Sequence, residues 1–210
     1  MKSDLPKQFL PLAGKPLLMH TLNAFSCLSF PLHIILVLPN EHIPLWKTLC
    51  HEHNFKISHQ VVQGGETRFH SVKNGLDAID GEEGVTGVHD GVRPLVTTAR
   101  IETIFSIAEL RGNAIPSIPI PDSLRKIDGN TNTTVDRNKY QIIQTPQCFK
   151  TAILKDSFKQ AYNTAFTDEA SVVESAGHPI NLVEGDPENI KITSPDDLIF
   201  AEFYINNKLQ

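Results

Sequence analysis

The sequence predicts an α/β fold in which helices flank a mainly parallel, twisted sheet. Short β-rich runs alternate along the chain with longer segments whose apolar residues recur at helical spacing. The run at 33–38 is almost continuously apolar, which is typical of a strand buried on both faces of a parallel sheet. A length of 210 residues suits one domain with a sizeable core, so we assign residues 1–210 to a single domain.

Each predicted element has its own local signal. Phe69, Val72, Leu76 and Ile79 form one apolar stripe of a helix. Ser194 is a candidate helix cap, because a proline follows it and an acid stands three residues later. The predicted strands are 33–38, 57–62, 87–89, 114–118, 141–144, 180–183 and 190–192. The predicted helices begin near 17, 44, 69, 101, 167 and 195, and a further helix is predicted through Phe158 and Tyr162.

Residues from about 119 to 138 interrupt this alternation. They contain two prolines, an Asp-Gly-Asn turn and a cluster of threonine and asparagine, which together predict a polar β-hairpin arm. Such a hairpin buries too little apolar surface to be stable alone. We therefore expect the arm to pack against a second subunit.

Composition excludes several classes of partner. The net charge of −5 argues against a general electrostatic surface for nucleic acid or for anionic membrane. No apolar run approaches the roughly 18 residues that a bilayer span needs. Cys27, Cys50 and Cys148 are odd in number and widely separated, so we expect free thiols in a reducing cytoplasm. No histidine or cysteine pair has convincing ligand spacing, and no protein metal site is predicted.

Polar motifs follow the ends of predicted strands, which is where ligands bind in open α/β sheets. A turn at 64–68 contains two glycines and opens a helix that carries Ser71, so backbone and hydroxyl groups can approach a flat or anionic ligand. Asp90 and Arg93 follow the next strand, where an aspartate can hold sugar hydroxyls or Mg²⁺ and an arginine can bind phosphate. Each motif has a structural alternative, an ordinary capped turn for the first and an internal ion pair for the second.

Four cations stand at loop or strand-end positions of this acidic chain. Lys7 lies on a proline-bracketed loop before a helix, and Lys191 lies between two apolar residues of a predicted strand. Arg93 and Arg137 complete the set, and Lys191 has the alternative of a solvent-facing edge-strand lysine. Together they suit a pocket for a highly phosphorylated ligand.

Eight motifs in order make the chain resemble the 2-C-methyl-D-erythritol 4-phosphate cytidylyltransferases from Pro6 onward. In one-letter code they are PKQFLPL, GGETRFHSVKNGL, HDGVRP, TVDR, QTPQ, TDEAS, VEG and NIKIT. The resemblance implies a nucleotidyltransferase-type fold and a homodimer joined through the arm. It also implies transfer of a cytidylyl group from CTP to the methylerythritol phosphate, with Mg²⁺ bound mainly through the CTP phosphates.

The resemblance also assigns roles to residues of this chain. Lys7 and Lys191 would be catalytic, holding the charge that develops on the α-phosphate and the incoming phosphate. The nucleotide-binding residues would be Gly65, Glu66, Ser71, Asp90 and Gly91. The substrate-binding residues would be Asp90, Arg93, Ser123, Arg137, Thr145, Thr167 and Lys191, with those of the arm reaching in from the other subunit.

The chain departs from the family pattern at two places. Ser123 replaces a threonine and keeps the hydroxyl. Met1 coincides with a methionine that in the family follows a strand and a Gly-rich triphosphate loop, so both are expected to be absent here. Two alternatives follow, a ribitol-5-phosphate cytidylyltransferase and a catalytically impaired, truncated homologue that acts at most as a nucleotide-binding dimer.

Overall fold

The computed structural model describes residues 5–208, so the expectation concerning Met1 lies outside the described residues. Helices and strands alternate along the chain as the sequence predicts. The helices are α1 (Leu17–Ser26), α2 (Ile43–Glu52), α3 (Arg68–Asp77), α4 (Thr98–Arg111), α5 (Thr151–Ser157), α6 (Glu169–Ser175) and α7 (Pro195–Lys208). Short 3-10 helices occupy Lys7–Phe9, Asn40–His42 and Arg137–Lys139.

Eleven strands occur within residues 5–208, and several have only two to four residues. They are β1 (Pro11–Leu12), β2 (Lys15–Pro16), β3 (Ile35–Leu38), β4 (Gln60–Gln63), β5 (Val85–Val88), β6 (Asn113–Pro119), β7 (Leu124–Asp128), β8 (Thr131–Val135), β9 (Gln141–Ile143), β10 (Gln147–Lys150) and β11 (Leu182–Glu184).

The larger sheet has the strand order β11-β6-β10-β5, and β9 also pairs with β6. Strands β11 and β6 pair in parallel, and β5 has the same direction because both it and β6 are antiparallel to β10. A second sheet pairs β3 with β4 in parallel, with Ile35 opposite Gln60. The α/β class with a mainly parallel sheet is therefore confirmed, and β10 is an antiparallel strand within it.

A cleft of about 1480 Å³ separates the two sheets. Residues of β3 line one side and residues of β5 line the other, and neither strand pairs on its cleft side with any other described strand. Leucines of α1 and α3 contribute to the apolar wall, among them Leu18, Leu22 and Leu76. The carboxyl ends of β3 and β5 thus lead to one shared opening.

Four groups of buried side chains hold the helices on the sheets. The largest packs Phe69 of α3, Phe149 of β10 and Phe158 around Ile115 of β6. A second surrounds Trp46 of α2, which stacks on Phe9 with ring centroids 6.1 Å apart. This stacking fixes the segment that carries Lys7, because Phe9 closes the same 3-10 helix.

The predicted arm forms the hairpin β7–β8, whose register pairs Leu124 with Val135. Its side chains are mostly exposed, and Ile127 is 68% exposed. The prediction of a hairpin is confirmed, whereas its packing on a second subunit stays a prediction.

Two expectations about elements are wrong, and one strand of the larger sheet was missed. Residues 190–192 are irregular backbone; Ile192 is buried, and its N–H donates to the Val92 carbonyl rather than to a strand partner. The helix from 151 ends at Ser157, before Phe158 and Tyr162. Strand β10 was not predicted. Within the described part of the chain, no helix is long and apolar enough to cross a membrane.

Candidate active site

Asp90 is the centre of a charge cluster directly after β5. Its carboxylate lies 3.2 Å from Lys191 Nζ, 3.2 Å from Arg93 Nε and 3.8 Å from Arg68 Nη2. Burial alone would raise the pKa of Asp90, but these three cations lower it below its ordinary value. Lys191 and Arg93 share this single carboxylate at 3.2 Å each, and two cations on one carboxylate suit a phosphorylated ligand.

Arg93 is buried and ties the cluster to the end of the chain. While its Nε contacts Asp90, its Nη1 donates to the Asn189 carbonyl at 2.7 Å. Asn189 is itself 1% exposed and donates from its side chain to the Thr145 carbonyl at 2.9 Å. The internal Asp–Arg pair considered from sequence does exist, and it sets the position of the segment that carries Lys191.

Arg68 and Glu169 form a paired contact between α3 and α6. Both guanidinium Nη atoms donate to the Glu169 carboxylate, one of them to Oε2 at 2.7 Å. The Glu169 side chain is 1% exposed, and this burial raises its pKa despite the opposing charge of Arg68. This pair holds the helix that begins near Thr167 against the glycine-rich turn.

Lys7 is exposed and donates from Nζ to the Thr193 carbonyl at 3.1 Å. Thr193 is two residues after Lys191, so the two lysines bracket one short segment. The pairing of Lys7 with Lys191 near one site, expected from the resemblance, agrees with this placement.

The glycine-rich turn after β4 is built as a ligand-facing loop. Thr67 caps α3 by accepting from the His70 N–H, and the Ser71 hydroxyl accepts from the Gly65 N–H at 3.1 Å. A Cβ on Gly65 would lie 2.4 Å from the His70 Cβ, so only glycine fits there. Gly65 and Glu66 are exposed, and Arg68 and Ser71 just after them line the cleft.

Thr145 and Gly91 help to hold the loop after β5 in place. The Thr145 hydroxyl accepts from the Asp90 N–H at 3.1 Å and contacts His89 Nδ1 at 3.0 Å. Gly91 packs so closely that a Cβ would lie 3.0 Å from Leu18. Thr145 is 3% exposed and therefore contacts protein groups on most sides.

Three predicted residues are exposed, and the hydrogen bonds of two of them lie outside this cluster. Ser123 and Arg137 are exposed at the base of the arm, where Arg137 donates to the Pro121 carbonyl. Thr167 is exposed just before α6, and its N–H donates to the Ser171 hydroxyl at 3.1 Å. Within one chain, no contact recorded for these three side chains joins them to Asp90.

A layer of buried polar side chains beneath the site was not predicted. Its buried members are Gln144, Gln147, Glu169 and Asn189, and His89 beside them is half-buried. Gln147 links β10 to α6 by donating to Asp168 at 2.9 Å and accepting from the Ala170 N–H at 2.8 Å. Arg68, His89 and Glu169 stand inside the sequence motifs, so their charge or polarity within a motif was the signal that could have identified them as site residues.

The cluster opens into the cleft between the sheets. Arg68, Ser71, Asp90, Gly91 and Lys191 line it at one end, whereas Phe25, Phe30 and Leu32 line its apolar part. Within residues 5–208, no group of three or more histidine, cysteine or acidic side chains is arranged to hold a metal ion.

Comparison with known proteins agrees with this arrangement. The model of the family "2-C-methyl-D-erythritol 4-phosphate cytidylyltransferase" (IspD) matches residues 1–207. A relative of that name from Bacteroides thetaiotaomicron is 52% identical over 198 residues, covering 94% of this chain and 90% of the relative. One from Bacteroides fragilis is 51% identical, covering 96% and 91%.

Solved structures show the same fold. The crystal structure of 2-C-methyl-D-erythritol 4-phosphate cytidylyltransferase from Thermus thermophilus is 31% identical, with a TM-score of 0.80. The superposition covers 96% of this chain and 94% of that one. On the family match, the identity to its members and the shared fold, this chain belongs to the IspD family of cytidylyltransferases.

Proposed function

We propose that this chain transfers the cytidylyl group of CTP to 2-C-methyl-D-erythritol 4-phosphate and releases pyrophosphate, a step of isoprenoid precursor synthesis. The observation that carries the proposal is the charge cluster of Asp90, Arg93 and Lys191 at the cleft opening of an IspD-family chain. The described charge cluster offers cations and hydroxyls for positioning and charge stabilisation, which is what phosphoryl-type transfer requires.

In the proposed reaction, a phosphate oxygen of the sugar phosphate attacks the α-phosphorus of CTP. The bond between the α-phosphorus and the oxygen bridging to the β-phosphate breaks, and that electron pair leaves with pyrophosphate. Lys7 and Lys191 stabilise the negative charge that develops on the α-phosphate oxygens. Their positions on either side of the segment 191–193 support this role.

The nucleotide is proposed to lie along the glycine-rich turn. Gly65, Glu66 and Ser71 would frame the cytosine, and Asp90 with Gly91 would hold ribose hydroxyls. The exposure of Gly65 and Glu66 supports an approach of the ligand to this turn. Cytosine would meet the exposed main chain of the turn and the side chain of Glu66.

The sugar phosphate is proposed to bind between Arg93, Lys191 and the N-terminal turn of α6. Ser123 and Arg137 would come from the arm of a second copy of this chain, in a homodimer. Their exposure on the arm, where Arg137 donates to the Pro121 carbonyl, supports a contribution across a subunit interface. Thr167 completes the proposed set, whereas the buried Thr145 is proposed to contribute by holding the Asp90 amide.

Mg²⁺ is proposed to arrive on the CTP triphosphate, where it would neutralise phosphate charge. The protein side of the cluster fits this arrangement better than a protein-held metal, because Asp90 is already engaged by three cations. We also propose the cytoplasm as its location; the free thiols of Cys27, Cys50 and Cys148 support this.

The proposal is tested by measuring pyrophosphate release with CTP and Mg²⁺ against two acceptors, 2-C-methyl-D-erythritol 4-phosphate and ribitol 5-phosphate. We expect turnover with the first and at least about a hundredfold lower kcat/KM with the second, a difference of about 2.7 kcal/mol in transition-state binding. Preference for ribitol 5-phosphate, or no turnover with either acceptor, would contradict the proposal.

A further inference from the structure

His89 has both ring nitrogens engaged, and their partners define its tautomer. Nε2 lies 3.0 Å from the carbonyl oxygen of Arg93, which can only accept a hydrogen bond, so Nε2 carries the proton. Burial lowers the pKa of His89 to about 4, which keeps the ring neutral near pH 7. Nδ1 is then an acceptor.

The hydroxyl proton of Thr145 has one partner that fits this tautomer. Thr145 Oγ1 lies 3.0 Å from His89 Nδ1, and an unprotonated nitrogen requires the hydroxyl to donate. The oxygen of the same hydroxyl accepts from the Asp90 N–H at 3.1 Å. The chain of hydrogen bonds therefore runs from the Asp90 amide through Thr145 and His89 to the Arg93 carbonyl.

This chain begins and ends at residues whose side chains meet. Arg93 Nε contacts the Asp90 carboxylate at 3.2 Å, and Lys191 Nζ lies at the same distance from that carboxylate. His89 thus fixes the backbone on both sides of the loop 90–93, while its ring packs on Phe25 with centroids 4.9 Å apart. Displacement of the ring would release the amide of Asp90 and the carbonyl of Arg93 together.

We propose that His89, as a neutral Nε2–H imidazole, is a positioning residue for the transfer reaction and that Thr145 acts through it. In this arrangement the Thr145 hydroxyl proton is committed to His89 and is not donated to the sugar phosphate. Asp90 and Arg93 receive their positions from this pair, and Lys191 receives its position from Asp90. The kinetic consequence of this inference rests on the proposed function, whereas the hydrogen bonds of His89 and Thr145 do not depend on that function.

The first test needs no activity. Nitrogen NMR of the histidine-labelled full chain at pH 7 should show His89 as the Nε2–H tautomer. Thr145→Val removes the hydroxyl at nearly constant shape and should shift the Nδ1 resonance, whereas Thr145→Ser should restore it. A protonated ring, an Nδ1–H tautomer or an Nδ1 signal insensitive to Thr145→Val would overturn the proposal.

The second test is a double-mutant cycle in the transfer assay. We expect Thr145→Val and His89→Phe each to lower kcat about 10- to 100-fold, with the KM of the sugar phosphate changed less than about threefold. The double variant should resemble the more impaired single variant, and Thr145→Ser should recover most of kcat. If the effects of the two single variants on kcat multiply in the double variant, or if Thr145→Val raises KM at unchanged kcat, Thr145 binds the substrate directly and the proposal is wrong.

Thermal unfolding of each variant separates positioning from loss of the fold. If His89→Phe does not fold, the comparison of Thr145→Val with Thr145→Ser still decides the kinetic part of the proposal. A wild-type chain with no turnover would contradict the proposed function, and the tautomer measurement would then decide the hydrogen-bond network by itself.

Discussion

At the scale of the residue, the charge cluster works because its members are held by buried partners. Lys191 is exposed, yet its ammonium group is placed by Asp90, whose amide and carboxylate are both bound by protein groups. Glu169 places the Arg68 guanidinium in the same way, by binding both of its Nη atoms. The motifs identified these residues, but the order in which they support one another follows only from the distances.

Removal of Glu169 should cost stability, because Arg68 would lose its carboxylate partner. For Glu169→Ala we expect a loss of about 2–3 kcal/mol, less than for a fully buried pair because Arg68 is 40% exposed. Urea unfolding measures it. Asp156→Asn is the matched control, since its pair with Lys159 is about 70% exposed on both sides and should change stability by less than about 1 kcal/mol. Equal losses in the two variants would contradict the structural importance of Glu169.

The pH dependence of stability should report His89. Its pKa is about 4 in the folded chain and near 6.5 when unfolded, so the unfolded chain binds the extra proton between these values. The contribution is fully present above pH 6.5 and is lost as pH falls toward 4, by about 3 kcal/mol in total. The free energy of unfolding, measured with urea at pH 7 and at pH 4.5, should therefore fall less for His89→Gln than for the wild-type chain. Glutamine keeps polar contacts but does not titrate. Parallel losses in the two proteins would show that His89 is not buried as a neutral ring.

At the scale of the element, the arm is the part of the molecule that one chain leaves most exposed. Ile127 is 68% exposed, and Tyr140 and Ile142 beyond the arm are 49% and 41% exposed. We expect Ile127→Asp to weaken the proposed dimer at least about tenfold, because a charge would enter an interface that closes over apolar side chains. Sedimentation equilibrium measures the change, with Lys126→Gln as a control on the neighbouring position. A monomeric wild-type chain would contradict the dimer.

Sequence patterns predicted a strand correctly where its apolar residues are buried and its backbone also pairs with a neighbouring strand. Strand β3 was found because its apolar run is buried within a parallel pair. Strand β10 was missed because it directly follows Thr145 and Pro146 and has only four residues. The alternation of apolar and polar residues at 190–192 correctly indicated that Ile192 is buried. Its N–H, however, donates to the Val92 carbonyl and not to a neighbouring strand, so the alternation did not establish a strand.

The candidate site was predictable to a similar extent. The cationic and hydroxyl side chains of the site were identified by residue type and position, because only a few residue types bind phosphate well. The supporting role of Gln144, Gln147 and Asn189 was not, although all three stand inside quoted motifs, because a motif does not show which backbone groups a buried amide binds. Their role depends on which backbone groups lack partners, and that is a property of the folded chain.

At the scale of the whole molecule, the cleft between the sheets determines which amides lack a strand partner. The carbonyls of Ile34 and Leu38 accept from the N–H groups of Gln60 in β4 and of Gly64 just after it. Because backbone groups alternate in direction along a strand, the N–H groups of Ile35 and Val37 face the cleft. We expect these two amides to exchange with deuterium at least about tenfold faster than that of Leu36, because no described strand pairs with them. Hydrogen exchange by NMR measures this, and equal protection along β3 would show that another segment covers the edge.

The central claim is that the cluster around Asp90 transfers a cytidylyl group, and phosphorus NMR of the reaction tests it most directly. With CTP, Mg²⁺ and 2-C-methyl-D-erythritol 4-phosphate, the account predicts a new diphosphate that joins the CTP α-phosphorus to the sugar phosphate, with one pyrophosphate per product. Lys191→Ala should form it about 100- to 1000-fold more slowly, whereas Lys159→Ala, a lysine on the exposed surface, should match the wild-type chain. No diphosphate from the wild-type chain, or an equal rate from Lys191→Ala, would contradict the account.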